Sequence, residues 1–157
     1  MKITLVVMGK TDQDYLKKGI EEYIQRLKHY TRFEIKELPS LKKTGNLPPD
    51  VIKQKEAEVF ASQLAKADAI ILLDERGKQY SSVDFSAFLQ KQMNAGIREL
   101  AFVVGGAWGF DEALKKRAHN SISLSKMTFS HQMVRLFFAE QLYRAFTILK
   151  GEGYHNQ

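Results

Sequence analysis

The runs AIILL (69–73) and LAFVV (100–104) contain no polar side chain. A strand alternates its side chains between two faces, so an all-apolar strand needs cover on both. Inner strands of a parallel sheet, with helices above and below, have this character. KITLVVM (2–8) is another apolar run of strand length, FEIKEL (33–38) alternates apolar and charged residues like a half-exposed strand, and SISL (121–124) is a candidate last strand.

Segments of helical spacing lie between these runs. In 11–30 the residues Tyr15, Leu16, Ile20, Tyr23, Ile24 and Leu27 share a helical face, with Thr11 or Asp12 placed to cap it. Residues 50–67, 82–96, 111–118 and 131–150 read as further helices; in 111–118 acids lead and bases trail, as the helix dipole favours. All three prolines fall in the loop 39–49, and a turn is expected at Arg76-Gly77-Lys78 after a strand ending at 74. Alternating strands and helices define an α/β fold with a largely parallel sheet. No repeat or break in composition divides the chain, which reads as one domain over 1–157. Ligands of such sheets bind outside the carboxyl ends of strands. Those ends are Leu73-Asp74, Val104-Gly105-Gly106 and Leu124-Ser125.

The chain has no cysteine, which removes disulfides, thiolate ligands and cysteine nucleophiles and fits a reducing compartment. Its four histidines (29, 119, 131 and 155) lack paired-ligand spacing, so no metal site is expected. The first apolar run, Ile3 to Met8, is too short for a signal-peptide core or a membrane span. A cytoplasmic protein without a membrane partner is the expectation. The net charge of +6 is lopsided: residues 115–157 carry seven Lys and Arg against Glu140 and Glu152 alone. Clustered positive charge attracts phosphate backbones. It also makes an ordinary solvated surface, and both readings stand here.

VVGGAWG (103–109) ends a strand in glycines but has the spacing of neither common phosphate loop. Gly109 reads as a turn glycine; Gly105 and Gly106 fit either a turn or the close approach of a flat ligand. LSKMTF (124–129) is a loop whose backbone amides and carbonyls suit the donor–acceptor edge of an adenine. Ser125 and Thr128 read equally as turn or cap residues, and Ser130 as the cap of the last helix. His131, at that helix's start, is a structural residue or a neutral hydrogen-bonding one. Along the helix Met133, Leu136, Phe137, Phe138, Leu142, Phe146 and Leu149 spread around the whole circumference. A helix apolar on every side must bury more than one face, and a symmetric dimer is the commonest solution. Glu140 and Arg144 stand i,i+4 in the favourable order. Tyr154 and His155 are unusual in a tail, and an aromatic ring there suits stacking on a splayed base.

Read together, SLSKMTFSHQMVRLFFAEQLYRAFTILKGEGYH (123–155), VVGGAWG and KITLVVMGK (2–10) resemble the bacterial large-subunit rRNA pseudouridine N3-methyltransferases, small members of the SPOUT superfamily. The resemblance runs the full length and is densest from Ser121 to His155. It implies a C-terminal trefoil knot, a topology that periodicity does not suggest. It implies an obligate homodimer and S-adenosyl-L-methionine as cofactor, contacted by Leu73, Gly105, Leu124, Ser125, Lys126, Met127, Thr128 and Phe129. The implied substrate is a pseudouridine of 23S rRNA in the assembled 70S ribosome. Relatives often carry proline where Ser130 stands, and serine can still open the helix. Trp108 lies where the family varies and receives no role.

Such a methyl transfer needs no metal; the protein must align the base and help remove its proton. Arg144, Tyr154 and His155 are the candidates for orienting the base or its phosphate, the tail reaching over from the partner subunit. The loop would cradle the cofactor, the last helix would join subunits, and its charged residues would face nucleic acid. The rival reading is a non-enzymatic basic RNA-binding or ribosome-assembly protein, which predicts salt-sensitive RNA affinity and no cofactor.

Overall fold

The computed structural model describes residues 1–156; Gln157, the end of the expected domain, lies outside them. Five strands, β1 (Lys2–Met8), β2 (Arg32–Leu38), β3 (Ala69–Gln79), β4 (Glu99–Val104) and β5 (Asn120–Ser123), form one sheet in the order β2-β1-β4-β3-β5. Every pair is parallel. The two all-apolar runs lie on the inner strands β3 and β4, and alternating β2 lies at an edge. The helices are α1 (Asp14–Leu27), α2 (Pro49–Gln63), α3 (Ser82–Asn94), α4 (Glu112–Arg117) and α5 (His131–Lys150).

One core joins Ile3, Leu5, Ile71 and Phe102 of the sheet to α1, α3 and α5. The rings of Phe102 and Phe138 meet there at 4.6 Å between centroids. A second core, with Val6, Ile70, Leu72 and Val103, takes cover from α2 and α4. The sheet is therefore covered on both faces, as its apolar strands require.

Helix α5 lies between α1 and α3. Phe138, Leu142 and Phe146 turn to the sheet, and Leu136 packs so tightly on α1 that a Cβ at Gly19 would sit 3.0 Å from it. Much of the all-round apolar character of this helix is thus used within the chain. Phe137 remains 38% exposed on its outer side.

Three details differ from the sequence reading. Helix α1 begins after Gln13, and neither Thr11 nor Asp12 caps it. The Thr11 hydroxyl is engaged elsewhere: it donates to Glu37 at 2.8 Å and accepts from Arg135 at 2.9 Å. Strand β3 does not end at 74. Ile122 pairs with both Leu73 and Lys78, so β3 engages β5 twice. The intervening Gly77 is pressed on β5, where a Cβ would lie 2.6 Å from the Ser121 carbonyl carbon. The expected turn is this crossing.

Arg135 is the third correction. It does not face outward to nucleic acid but is wholly buried. Its guanidinium donates to the carbonyls of Met8 at 2.8 Å and Gly9 at 3.0 Å and to Thr11, with the Glu37 carboxylate 3.9 Å away. Burial lowers its pKa, and the charge of Glu37 counters part of that loss. It ties the start of α5 to the carboxyl end of β1.

Candidate active site

The middle of β3 and the carboxyl ends of β4 and β5 open into a cleft of about 580 Å³. Leu73 to Arg76 form one wall, Val104 to Phe110 another, and the loop from Leu124 to His131 a third. Gly105 is bare for a packing reason: the Phe110 ring would stand 3.1 Å from a Cβ there. The turn that follows is closed by a Gly106–Gly109 bridge, and Gly109 has φ +78°, as its turn reading required. Beneath it, the Glu56 carboxylate occupies the space a Gly106 side chain would need and takes a hydrogen bond from the Gly106 backbone. Burial nevertheless raises the Glu56 pKa.

The third wall is held by its own hydroxyls. Ser123 donates to the Ser125 carbonyl at 2.8 Å, and the Ser125 hydroxyl accepts from the Met127 amide at 2.9 Å. Thr128 reaches across to Glu75 at 3.0 Å. Ser130 caps α5 by accepting from the Met133 amide at 3.2 Å, so serine does open this helix. Of the residues singled out by resemblance, Leu73, Gly105, Leu124, Ser125, Met127, Thr128 and Phe129 line the cleft. Lys126 lies on the same loop, exposed and outside the lining. His131 and Trp108 line the cleft as well. Lys53 and Lys115 also reach it, from α2 and α4. Sequence spacing gave no signal for these two, because only the layering of helices on the sheet brings them there.

Arg144, Tyr154 and His155 come together in a different place. Arg144 binds Glu140 through Nε at 3.0 Å and a terminal nitrogen at 2.5 Å, and lies 4.7 Å from the centre of the Tyr154 ring. Its other terminal nitrogen is 3.4 Å from Nδ1 of His155. The Tyr154 hydroxyl donates to Glu140 at 3.2 Å, and burial raises its pKa well above that of a free phenol, with the Tyr23 hydroxyl adding to the shift. The tail is ordered against its own subunit: Gly151 ends α5 in the left-handed conformation, and Tyr30 donates to Glu152 at 2.5 Å. None of these three residues lines the cleft of its own chain. Arg144 stands 13 residues along α5 from His131, about 20 Å at the helical rise.

Among the described residues, no group of three His, Cys, Asp or Glu stands placed to hold a metal ion, and no helix is long and apolar enough to cross a membrane.

A five-stranded parallel sheet covered by helices on both faces defines the class, an α/β protein, and its cleft lies where sheets of this class usually bind ligands. The family described as "Predicted SPOUT methyltransferase" matches residues 1–155, and the chain belongs to that family. It is 56% identical over its whole length, and that of its relative, to the "Ribosomal RNA large subunit methyltransferase H" of Christiangramia forsetii. Proteins of the same name from Flavobacterium johnsoniae and Bacteroides fragilis are 52% and 45% identical, again over the full length of both chains. Among solved structures, a probable methyltransferase from Bordetella pertussis superposes with a TM-score of 0.55, covering 92% of this chain and 96% of its own. At 11% identity that likeness speaks for the fold.

Proposed function

We propose that this protein is an S-adenosyl-L-methionine-dependent rRNA methyltransferase acting on N3 of a pseudouridine in 23S rRNA of the assembled 70S ribosome. It works in the cytoplasm as a homodimer of a single SPOUT domain whose C-terminal part is threaded into a trefoil knot. One observation carries the reading: in a chain of this family, seven of the positions tied to the cofactor by resemblance line one cleft at the sheet's carboxyl edge. The names of its full-length relatives support ribosomal RNA as the substrate.

The cleft suits the cofactor. Its volume falls within the roughly 300–1,000 Å³ of small-molecule pockets. Leu73, Leu124 and Phe129 offer apolar walls, while the backbone of Ser125 to Phe129 offers donors and acceptors for a purine edge. When bound, S-adenosyl-L-methionine supplies a methyl group already activated by its sulfonium.

The chain's own residues orient the base and exclude water. Arg144 is fixed by Glu140, which also raises its pKa, and offers a permanent positive charge to a phosphate or a base carbonyl. Tyr154 keeps its proton at neutral pH, so it acts as a donor or stacking ring and not as the base. His155 stands beside both. A two-fold pairing through the outer side of α5 would carry this cluster from one copy to the cleft of the other.

The test is transfer of labelled methyl from S-adenosyl-L-methionine to ribosomes of a strain lacking the enzyme, with the modified nucleotide mapped. Label at N3 of one pseudouridine of 23S rRNA is the expected result. Cofactor-free RNA binding with no transfer would overturn the reading in favour of a binding protein.

A further inference from the structure

Trp108 is the chain's one tryptophan, and it stands 57% exposed on the lip of the cleft. So large a ring is ordinarily mostly buried. Its exposure does not come from a loose loop. The Gly106–Gly109 bridge closes the turn that bears it, with the Gly109 amide donating to the Gly106 carbonyl at 3.1 Å. Glu56 braces the same turn from below through Gly106, and Phe110 packs behind Gly105.

Two cations line the same cleft. Among the described residues, Lys53 and Lys115 each pair with an acid three residues earlier, Asp50 and Glu112, both at 3.0 Å. Those acids are 91% and 78% exposed, so the pairs are weak and readily give way to a phosphate. An exposed ring on a closed turn, with two lysines lining the same cleft, matches how unpaired RNA is held, by stacking on an aromatic face and by charge on the backbone. Lysine is depleted at protein–protein interfaces, which argues against a second copy of the chain as the occupant.

Resting on the rRNA-methyltransferase reading above, we propose that Trp108 is a platform on which an unpaired nucleobase of the substrate RNA, neighbouring the methylated one, stacks, with Lys53 and Lys115 taking the adjoining phosphates. Trp108 is then a substrate-positioning residue, separate from the loop that holds the cofactor.

The experiment is steady-state methyl transfer to ribosomes with Trp108→Ala, Trp108→Phe and the double variant Lys53→Gln/Lys115→Gln, alongside calorimetric binding of S-adenosyl-L-methionine and sedimentation of each protein. Trp108→Ala should raise KM for ribosomes about tenfold, in the range of one lost base stack, with kcat little changed. Trp108→Phe should stay near the wild type. The double lysine variant should bind ribosomes more weakly and with a flatter salt dependence. Cofactor affinity and oligomeric state should match the wild type in all three. An unchanged KM in Trp108→Ala overturns the proposal. So does a loss of cofactor affinity, which would assign the ring to the cofactor, or a loss of oligomer, which would assign it to a subunit contact. A wild-type protein that transfers no methyl to ribosomes would remove the underlying reading first.

Discussion

Glu56 holds a carboxylate in a half-buried place beneath the cleft's glycine turn, and its pKa is raised by that burial. A carboxyl whose folded pKa lies above its unfolded one binds its proton more tightly when folded. Its ionisation therefore opposes folding; the cost is absent at low pH and grows as pH rises from the ordinary carboxylate value through the raised one. Glu56→Gln keeps an acceptor for Gly106 and removes the charge. It should melt above the wild type at pH 7, with the gap closing as the pH falls through about 4, the ordinary glutamate value. A gap of constant size across that range would remove this explanation. Arg144 makes a sharper functional case. Arg144→Ala should stay folded and bind cofactor while losing about 100-fold in methyl transfer, the scale of a misplaced reactant. Turnover at the wild-type rate would eliminate its role. At Gly77 a methyl group would lie 2.6 Å from the β5 backbone, which cannot yield as a flexible side chain would. Gly77→Ala should destabilise the protein by about 2–3 kcal/mol in urea unfolding, as overpacking does.

Helix α5 carries much of the molecule's organisation, and Ser130 starts it. Ser130→Ala should cost about 1 kcal/mol, the worth of such a cap, and lower the melting temperature by about 2–4 °C in a domain of this size. A variant melting with the wild type would show that the amide finds another partner. The bounds of this helix, 131–150, were legible because its apolar residues and cap are local signals. The inner strands were legible for the same reason. Other features were hidden by distance in sequence. Thr11 looked like a cap, yet Glu37 and Arg135 claim its hydroxyl. Arg135 looked like a surface charge on a helix, yet its acceptors are β1–α1 carbonyls more than 120 residues earlier. The second half of β3 looked like a turn because Arg-Gly-Lys says nothing of the strand lying against it. In the site, the loop 124–129 was marked in advance by its place at a strand end, whereas Lys53 and Lys115 reach the cleft only through helix packing.

At the scale of the molecule, the cleft and the Arg144–Tyr154–His155 cluster are separate within one chain, and their separation makes the number of copies a functional question. Phe137, exposed on the outer side of α5, is the place to ask it. Phe137→Glu should shift the protein towards monomers in sedimentation and abolish methyl transfer, while circular dichroism shows the fold retained. A variant still dimeric would move the subunit contact to another surface. The double grip of β3 on β5 also bears on the order in which this chain takes shape during its own synthesis. Strands emerge from the ribosome in sequence, so β1 to β4 are available while the lane against β3 is still vacant. That lane fills only when residues 120–123 arrive, and the third wall of the cleft follows directly behind them. A nascent chain stalled before this point would lack both the fifth strand and the third wall of the cleft, so the cleft takes shape only as the last quarter of the chain is made.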